Sequence, residues 1–327
     1  MIKYILKRLL MMIPVMIGVV TIAFILSEIT PGDAAVAMAG SGATEAESLG
    51  LNQPILVRYG QYLWGMFTRF DLGTSYTTNQ PVLNEILARY PTTLKLAFLS
   101  VAVAVLIGIP LGVIAAVKQY TWVDNLTMTV SLLGVSMPPF WLGLLLIFVF
   151  SVTLGWLPAS GLGEGWRSWI LPVITIGFSS SATIARVTRS SMLEVIRQDY
   201  IRTAKAKGQS GFAIVIFHGL RNAMIPIITV IGTQIGVQLG GAVLVETIFA
   251  LNGLGSYMIN AVKGQNSPVV QGGVVFLSLV FSFVNLAVDL IYTFIDPSLK
   301  TMFQTKGRRA VRRELKRQLA EGGVTHG

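Results

Sequence analysis

Residues 186–226 read RVTRSSMLEVIRQDYIRTAKAKGQSGFAIVIFHGLRNAMIP, and this stretch decides how the chain is organised. Its first half is rich in Lys and Arg, whereas residues 168–185 before it and residues 222–245 carry no charged side chain. An apolar helix of about 20 residues crosses the hydrocarbon core of a bilayer. The pattern therefore predicts two membrane spans joined by a basic loop that stays at the membrane surface.

The whole chain has the composition of a membrane protein. Of its 327 residues, 53% are hydrophobic and 12% are charged, and the mean hydropathy is +0.67. Soluble domains carry roughly 25% charged residues. We therefore predict an all-α polytopic membrane protein with a single transmembrane domain over residues 1–327. Six transmembrane helices are expected, near residues 9–29, 96–117, 126–151, 168–188, 222–247 and 270–295.

The distribution of positive charge orients these helices. Lys and Arg concentrate at the N-terminus, in residues 186–222 and in the tail over residues 300–327. Cytoplasmic loops carry such an excess, so both termini are predicted in the cytoplasm and the loop 30–93 outside. The basic N-terminus resembles a secretory signal, but the apolar run 9–27 exceeds the roughly 7–15 residues of a signal core. We predict an uncleaved first helix.

The basic tail allows two interpretations. Residues 306–316 are strongly basic, and Val311, Leu315 and Leu319 recur every four residues. This spacing is typical of a short helix on anionic lipid. The alternative is a solvated, partly disordered end that helps to set the topology.

The residues of common catalytic and metal sites are missing from the sequence. It has no cysteine and two histidines, His218 and His326, which excludes a disulfide framework, a zinc–thiolate site, a thiol nucleophile and a His-rich metal site. It also has no phosphate-binding loop and no HExxH or GxSxG motif. We expect no covalent catalysis, no metal and no cofactor bound by this chain. The net charge of +10 is assigned to cytoplasmic loops rather than to a nucleic-acid partner.

Polar side chains within the predicted spans are candidates for a translocation path, because burying them in lipid is costly. Asn285 and Asp289 share one face of the last helix, and Gln234 and Gln238 share one face of the fifth. Asp289 either lines a polar path or couples to a proton, or it forms a hydrogen bond with a neighbouring helix. The glutamines face either a path or partner subunit, or they form interhelical hydrogen bonds.

Glycines mark a different face of the fifth helix. Gly232, Gly236 and Gly240 recur every four residues and point away from the glutamines. Small residues at this spacing let helices approach closely in lipid. We assign these glycines to helix packing.

Two short helices are predicted outside the spans. In the basic loop, an apolar stripe through Met192, Val195 and Tyr200 is followed by Gly208, which ends a helix or allows a sharp turn. This helix either docks a soluble partner or lies on lipid. In the outer loop, Pro81 begins a surface helix over residues 81–90 that either receives a partner or shields the bundle.

At the basic loop the sequence resembles the permease subunits of ABC importers of the dipeptide, oligopeptide and nickel family. Their cytoplasmic loop carries a motif of the type E-A-A-x3-G. Here the motif has Arg and Thr in place of its Glu and first Ala, as is usual for this branch. It reads Arg202, Thr203, Ala204, Lys205, Ala206, Lys207 and Gly208.

The resemblance extends over nearly the whole chain. The outer loop shows Pro31-Gly32-Asp33, and the later spans show SMPPFWLG over residues 136–143, Glu246-Thr247-Ile248-Phe249 and Asp296-Pro297. Such an ordered series is far more specific than one short motif. The tail after about residue 303 lies outside the resemblance.

The resemblance implies a type I ABC importer permease fold and a place in the cytoplasmic (inner) membrane of a bacterium or archaeon. It implies a second permease subunit, often a different chain, and two ATPase subunits that hold ATP and Mg. The helix from Tyr200 to Gly208 would couple this chain to an ATPase. An extracytoplasmic substrate-binding protein would land on residues 30–93 and 250–270. Family members import dipeptides, longer peptides, glutathione, nickel complexes or some sugars, and peptides form the broadest class.

Two other classes of function remain as alternatives. A proton- or ion-coupled secondary carrier would use Asp289, but the sequence shows no second buried charge and no recognisable inverted repeat. An intramembrane hydrolase would need a nucleophile and a base at one depth, and the sequence offers no such pair.

Overall fold

The structure is a computed structural model that describes residues 2–29 and 53–295. The described residues are mostly helical. In chain order the α-helices are α1 Ile2–Ile29, α2 Ile55–Arg69, α3 Val82–Val117, α4 Trp122–Ser136, α5 Pro139–Leu146, α6 Ile170–Ile196, α7 Asp199–Ala206, α8 Gly211–Ala213, α9 Arg221–Gly241, α10 Val243–Ile248, α11 Leu254–Lys263 and α12 Ser267–Ile295. A 3-10 turn over Gly165–Trp169 precedes α6, and π-helices Ile147–Thr153 and Ile214–Leu220 follow α5 and α8.

Within the described residues, five helical segments are long and apolar enough to cross a membrane. A sixth span is present if α4 and the segment Pro139–Thr153 together count as one bent span. The prediction of an all-α polytopic membrane fold is thereby confirmed. The predicted tail over residues 300–327 and the outer segment 30–52 lie outside the described residues.

The third predicted helix, near residues 126–151, differs from the structure. Two helices stand in its place, and the chain bends by 102° between them. Met137 and Pro138 at the bend are extended, with ψ of 125° and 131°. The consecutive prolines Pro138 and Pro139 explain the break, because proline donates no backbone hydrogen bond and disfavours helix in the residue before it.

The second span is longer than predicted. The sequence places a helix at residues 96–117 and a separate short one at residues 81–90, whereas α3 is one continuous helix from Val82. Val82 and Ile86 are fully buried in this extension. Charged residues lower the hydropathy of this segment, so the sequence does not predict it as part of the span. The burial of Val82 and Ile86 nevertheless stabilises it as helix, because tertiary packing supplies most helical stability.

The other predicted bounds shift as well. The helix predicted near residues 168–188 becomes α6, which continues to Ile196. The one predicted near residues 222–247 becomes α9 and the separate α10, joined at Ala242.

A close backbone contact joins α3 to α6. A Cβ atom on Gly108 would lie 2.7 Å from the carbonyl oxygen of Ser181, and one on Gly112 would lie 2.6 Å from that of Ala185. Only glycine fits where backbones approach so closely. The α3–α6 pair therefore forms a closely packed centre, and α4 and α9 pack against both of its helices.

Candidate functional site

The short helix α7 follows the end of the α6 span. Gln198 is extended, with ψ of 150°, and starts the new helix. Ile201 and Ala204 on one face are buried and pack against Ile214, where the chain enters the next span. The inner face of α7 is thus fixed to both neighbouring spans.

The opposite face of α7 is open. Arg202 lies 3.8 Å from Asp199, and both side chains are exposed, so this ion pair adds little stability. The hydroxyl of Thr203 bonds the carbonyl of Asp199. In the predicted coupling helix, the exposed residues present positive charge beside an aromatic ring. They are Tyr200, Arg202, Thr203, Lys205, Ala206, Lys207 and Gly208. Ala204 is the one residue of the motif that belongs to the buried face.

A glycine turn closes α7. Gly208 has φ of +75°, a left-handed conformation that glycine adopts without strain. Its N–H donates to the carbonyl of Lys205, and the N–H of Gln209 donates to that of Ala204. Gln209 then bonds the His218 ring at 2.7 Å. The turn holds the exposed face of α7 in one orientation.

The predicted packing glycines lie between α9 and α12. A Cβ atom on Gly232 would collide with Val288, and one on Gly236 would lie 2.8 Å from the ring of Phe281. The surroundings of Gly240 lie outside the described residues. The structure thus brings the first two glycines against one neighbouring helix.

The predicted path residues do not converge on one another in the described chain. The Gln238 side chain is buried and donates to the Ser180 hydroxyl of α6 at 2.7 Å. Gln234 is half-buried. Asn285 donates to the Phe281 carbonyl of its own helix. The side chain of Asp289 lies outside the described residues.

One ion pair near the basic loop has no counterpart in the sequence analysis. Arg189 of α6 binds Asp124 of α4 in a bidentate pair at 2.5 and 2.7 Å, and Asp124 also accepts from the backbone N–H of Tyr120. Asp124 is 2% exposed. The pair ties the start of α4 to the last turns of α6, which lead to α7. Its partners are too far apart in the sequence for spacing to reveal them.

A second buried acid lies at the other end of the bundle. Glu246 of α10 is fully buried and accepts from the Thr93 hydroxyl at 2.6 Å and the Ser256 N–H at 2.9 Å. Cβ atoms on Gly253 and Gly255 would meet its carboxylate. Burial raises the pKa of this carboxyl, and the hydrogen bonds from Thr93, Ser256 and Gly255 oppose that rise. Glu246 therefore caps the start of α11 and fixes it to α3.

The loop before α3 is held by the loop before α12. Asn266 donates from its amide to the hydroxyls of Ser75 and Thr77 at 2.9 Å. Nearby, the Arg89 guanidinium lies 4.0 Å from the centre of the Tyr257 ring, and the Tyr257 hydroxyl donates to Glu85. Burial and the bond to Glu85 raise the pKa of Tyr257. These contacts join α11 to the start of α3 in one surface.

No catalytic or metal-binding arrangement appears in the part of the chain that the structure describes. Residues 2–29 and 53–295 hold no group of three or more His, Asp and Glu side chains that could bind a metal ion. The described residues form a helical bundle in which the short basic helix α7 is exposed on one face.

Family models match most of the chain. The model of the binding-protein-dependent transport system inner membrane component matches residues 108–301. A model of the N-terminal part of a binding-protein-dependent transport system membrane component matches residues 1–97. Among the described spans, the two matches leave only residues 98–107 of α3 uncovered.

Relatives that match over nearly their whole length are named as permease proteins of transport systems. A putative peptide transport system permease protein of Brucella abortus (strain 2308) is 43% identical over 309 residues, covering 90% of this chain and 98% of the relative. The dipeptide transport system permease protein DppB of Alkalihalophilus pseudofirmus is 42% identical, covering 92% and 100%. The glutathione transport system permease protein GsiC of Salmonella paratyphi A is also 42% identical, covering 92% and 99%.

Solved structures share the fold. The inward-facing MetNI methionine ABC transporter gives a TM-score of 0.53 at 19% identity, covering 65% of this chain and 97% of that one. An amino acid ABC transporter with histidines gives 0.50 at 16%, covering 66% and 94%. The resemblance read from the motifs is confirmed. The chain belongs to the family of binding-protein-dependent transport system inner membrane components, as a multi-pass permease subunit with the type I ABC importer fold.

Proposed function

We propose that the chain forms one half of the channel of an ATP-driven, binding-protein-dependent importer of di- and oligopeptides. The observation that carries this proposal is the near-full-length similarity, at 42–43% identity, to permeases named for peptide and dipeptide transport. Fold alone would not choose a substrate, since one fold serves many functions.

In this proposal α7 is the coupling helix. Its exposed face carries Tyr200, Lys205 and Lys207, and its buried face is anchored to the adjoining spans. A partner that grips the exposed face would therefore move α6 and α9 together. That partner is a P-loop ATPase subunit, two of which hold ATP and Mg, because this sequence has no phosphate-binding loop of its own.

The remaining partners follow from the same proposal. A second permease subunit, encoded as a different chain, completes the channel within the lipid of the inner membrane of a bacterium or archaeon. Both termini and α7 face the cytoplasm, because Lys and Arg concentrate there. An extracytoplasmic binding protein delivers the peptide to the opposite side, where Asn266 and Tyr257 organise the surface.

The proposal is tested by transport in proteoliposomes that contain the complete complex and its binding protein. We expect uptake of labelled di- or oligopeptide that requires ATP inside the vesicles. ATP-dependent uptake of glutathione, in line with the GsiC relative, or of a nickel chelate, would support the ATP-driven importer but assign it a different substrate from the one we propose. Solute uptake by the chain without ATP would contradict the proposal and favour a secondary carrier.

A further inference from the structure

The helix α2, Ile55–Arg69, has three different faces. Tyr59, Leu63 and Met66 pack on the bundle. Gln61, Thr68 and Arg69 form a polar face. Between these two, a third face is apolar and open, with Leu56 83% exposed and Phe67 46%, and Trp64, 68% exposed, lies at its border with the polar face. Phe70 at the end of the helix, 67% exposed, extends the apolar face.

Contacts of Tyr59 fix the depth of α2. Its hydroxyl lies 2.6 Å from that of Thr21, and its ring centroid is 5.4 Å from that of Phe24. Both partners lie within the candidate span Arg8–Ser27 of α1. At 1.5 Å per residue, Thr21 is about 9 Å inside the Ser27 end of that span. One side chain thus links α2 to a layer below the membrane surface.

The turn after α2 contacts the start of another membrane span. The turn that follows the helix contains Gly73, where a Cβ atom would lie 3.4 Å from Pro268. The neighbouring Tyr76 donates from its N–H to Asn266. Pro268 begins α12, whose candidate span starts at Ser267. The start of α2 and the turn after it therefore each contact a membrane span within about 9 Å of one end of that span.

From this placement we propose that α2 lies in the boundary between lipid headgroups and acyl chains, with Leu56, Trp64 and Phe67 inserted among the lipids. An exposed face of this composition is unfavourable in water, and Trp, Phe and Leu on one face with Arg on another are typical of interfacial helices. The helix anchors the loop 53–81 to the membrane, and its apolar face is not a landing site for a binding protein.

Spin labels on single cysteines test this placement. The chain contains no cysteine, so Leu56→Cys, Trp64→Cys and Phe67→Cys each give one labelled site in the full chain in lipid nanodiscs. Gln61→Cys and Thr68→Cys are matched controls on the polar face of the same helix. All five side chains are exposed, so these substitutions leave the buried core intact.

The readout is collision of each label with oxygen, which partitions into lipid, and with a water-soluble nickel complex. We expect the ratio of oxygen to nickel collisions to be severalfold higher at positions 56, 64 and 67 than at positions 61 and 68. Strong nickel collisions at all five positions would place α2 in water and overturn the proposal. Weak collisions with both reagents at positions 56, 64 and 67 would mean that protein, such as a second subunit, covers the face, and this result would also overturn it.

Discussion

Two buried carboxylates, Asp124 and Glu246, are single residues that we expect to contribute to the stability of the fold. Each lies at one end of the bundle and joins segments that are distant in sequence. A buried charge is costly unless it is paired or fully hydrogen-bonded. Asp124 meets this condition with a cation, and Glu246 meets it with hydroxyl and backbone donors.

Replacing Glu246 with Ala should lower the melting temperature of the purified chain. The loss leaves the N–H of Ser256 without an acceptor, which costs about 1–3 kcal/mol for such a group. Glu246→Gln should cost less, because its carbonyl oxygen still accepts that N–H. Thermal unfolding followed by Trp fluorescence measures both variants. Equal melting temperatures for the wild type and Glu246→Ala would contradict the capping role.

The difference in melting temperature between the wild type and Glu246→Gln should depend on pH. The pKa of Glu246 is raised in the folded chain, so the group stabilises the fold relative to Gln most at pH below its unfolded pKa of about 4.3. This contribution is lost as the pH rises through the folded pKa. The difference in melting temperature between the wild type and Glu246→Gln should therefore shift against the wild type as the pH is raised. An opposite shift would show that the hydrogen bonds outweigh burial.

The Asp124–Arg189 pair should respond unequally to removal of its partners. Arg189→Ala leaves a 2% exposed carboxylate without its cation, and losing hydrogen bonds to a charged group costs about 1.5–3 kcal/mol. Asp124→Ala should cost less, because the Arg189 side chain is 24% exposed and can reach solvent. Melting temperatures of the two single variants and the double variant measure this. A greater loss in Asp124→Ala than in Arg189→Ala would contradict the assignment.

At the scale of elements, the sequence predicts the spans but not where they break or begin. Long apolar runs identify α1, α6, α9 and α12, because a helix that crosses the bilayer needs about 20 consecutive apolar residues. The bend after α4 needs only the local chemistry of Pro138 and Pro139. By contrast, the first turns of α3 depend on the burial of Val82 and Ile86 against segments that are distant in sequence, which no local pattern records.

The α3–α6 contact predicts which glycines are indispensable. Gly112→Ala places a Cβ atom 2.6 Å from a backbone oxygen, and overpacking of this kind costs typically about 1–3 kcal/mol. Gly18→Ala in α1 is the matched control, because a Cβ atom there meets nothing within 4 Å. We expect Gly112→Ala to lower the melting temperature and Gly18→Ala to leave it unchanged or raise it. The reverse order would contradict the packing.

The two faces of α7 should separate coupling from folding. Lys205→Glu with Lys207→Glu changes only exposed side chains, so the protein should insert normally while ATP-driven uptake falls. Ile201→Glu, on the buried face, should lower the melting temperature as well. Ala204 is also buried, so bulky changes there disturb the loop's own packing rather than the docking face. If the variant with both charge reversals, Lys205→Glu and Lys207→Glu, transports at the full rate, the exposed face has no role in coupling.

For the whole molecule, the motifs identify the family and its fold, and the comparisons confirm both. The candidate site is predicted only in part. The exposed motif of α7 is local, so a sequence pattern finds it. The pairing of Asp124 with Arg189, the capping by Glu246 and the depth of α2 arise between distant segments, so only the folded chain contains them.

The proposed function requires that the exposed face of α7 contacts an ATPase in the cytoplasm. A photo-crosslinker on Lys205→Cys, in the otherwise cysteine-free chain, tests it in native membranes, with mass spectrometry of the captured protein. Lys263→Cys at the end of α11 is the control on the opposite side of the membrane. We predict that position 205 captures a P-loop ATPase and position 263 does not. Capture of the ATPase from position 263 but not from position 205 would contradict the account.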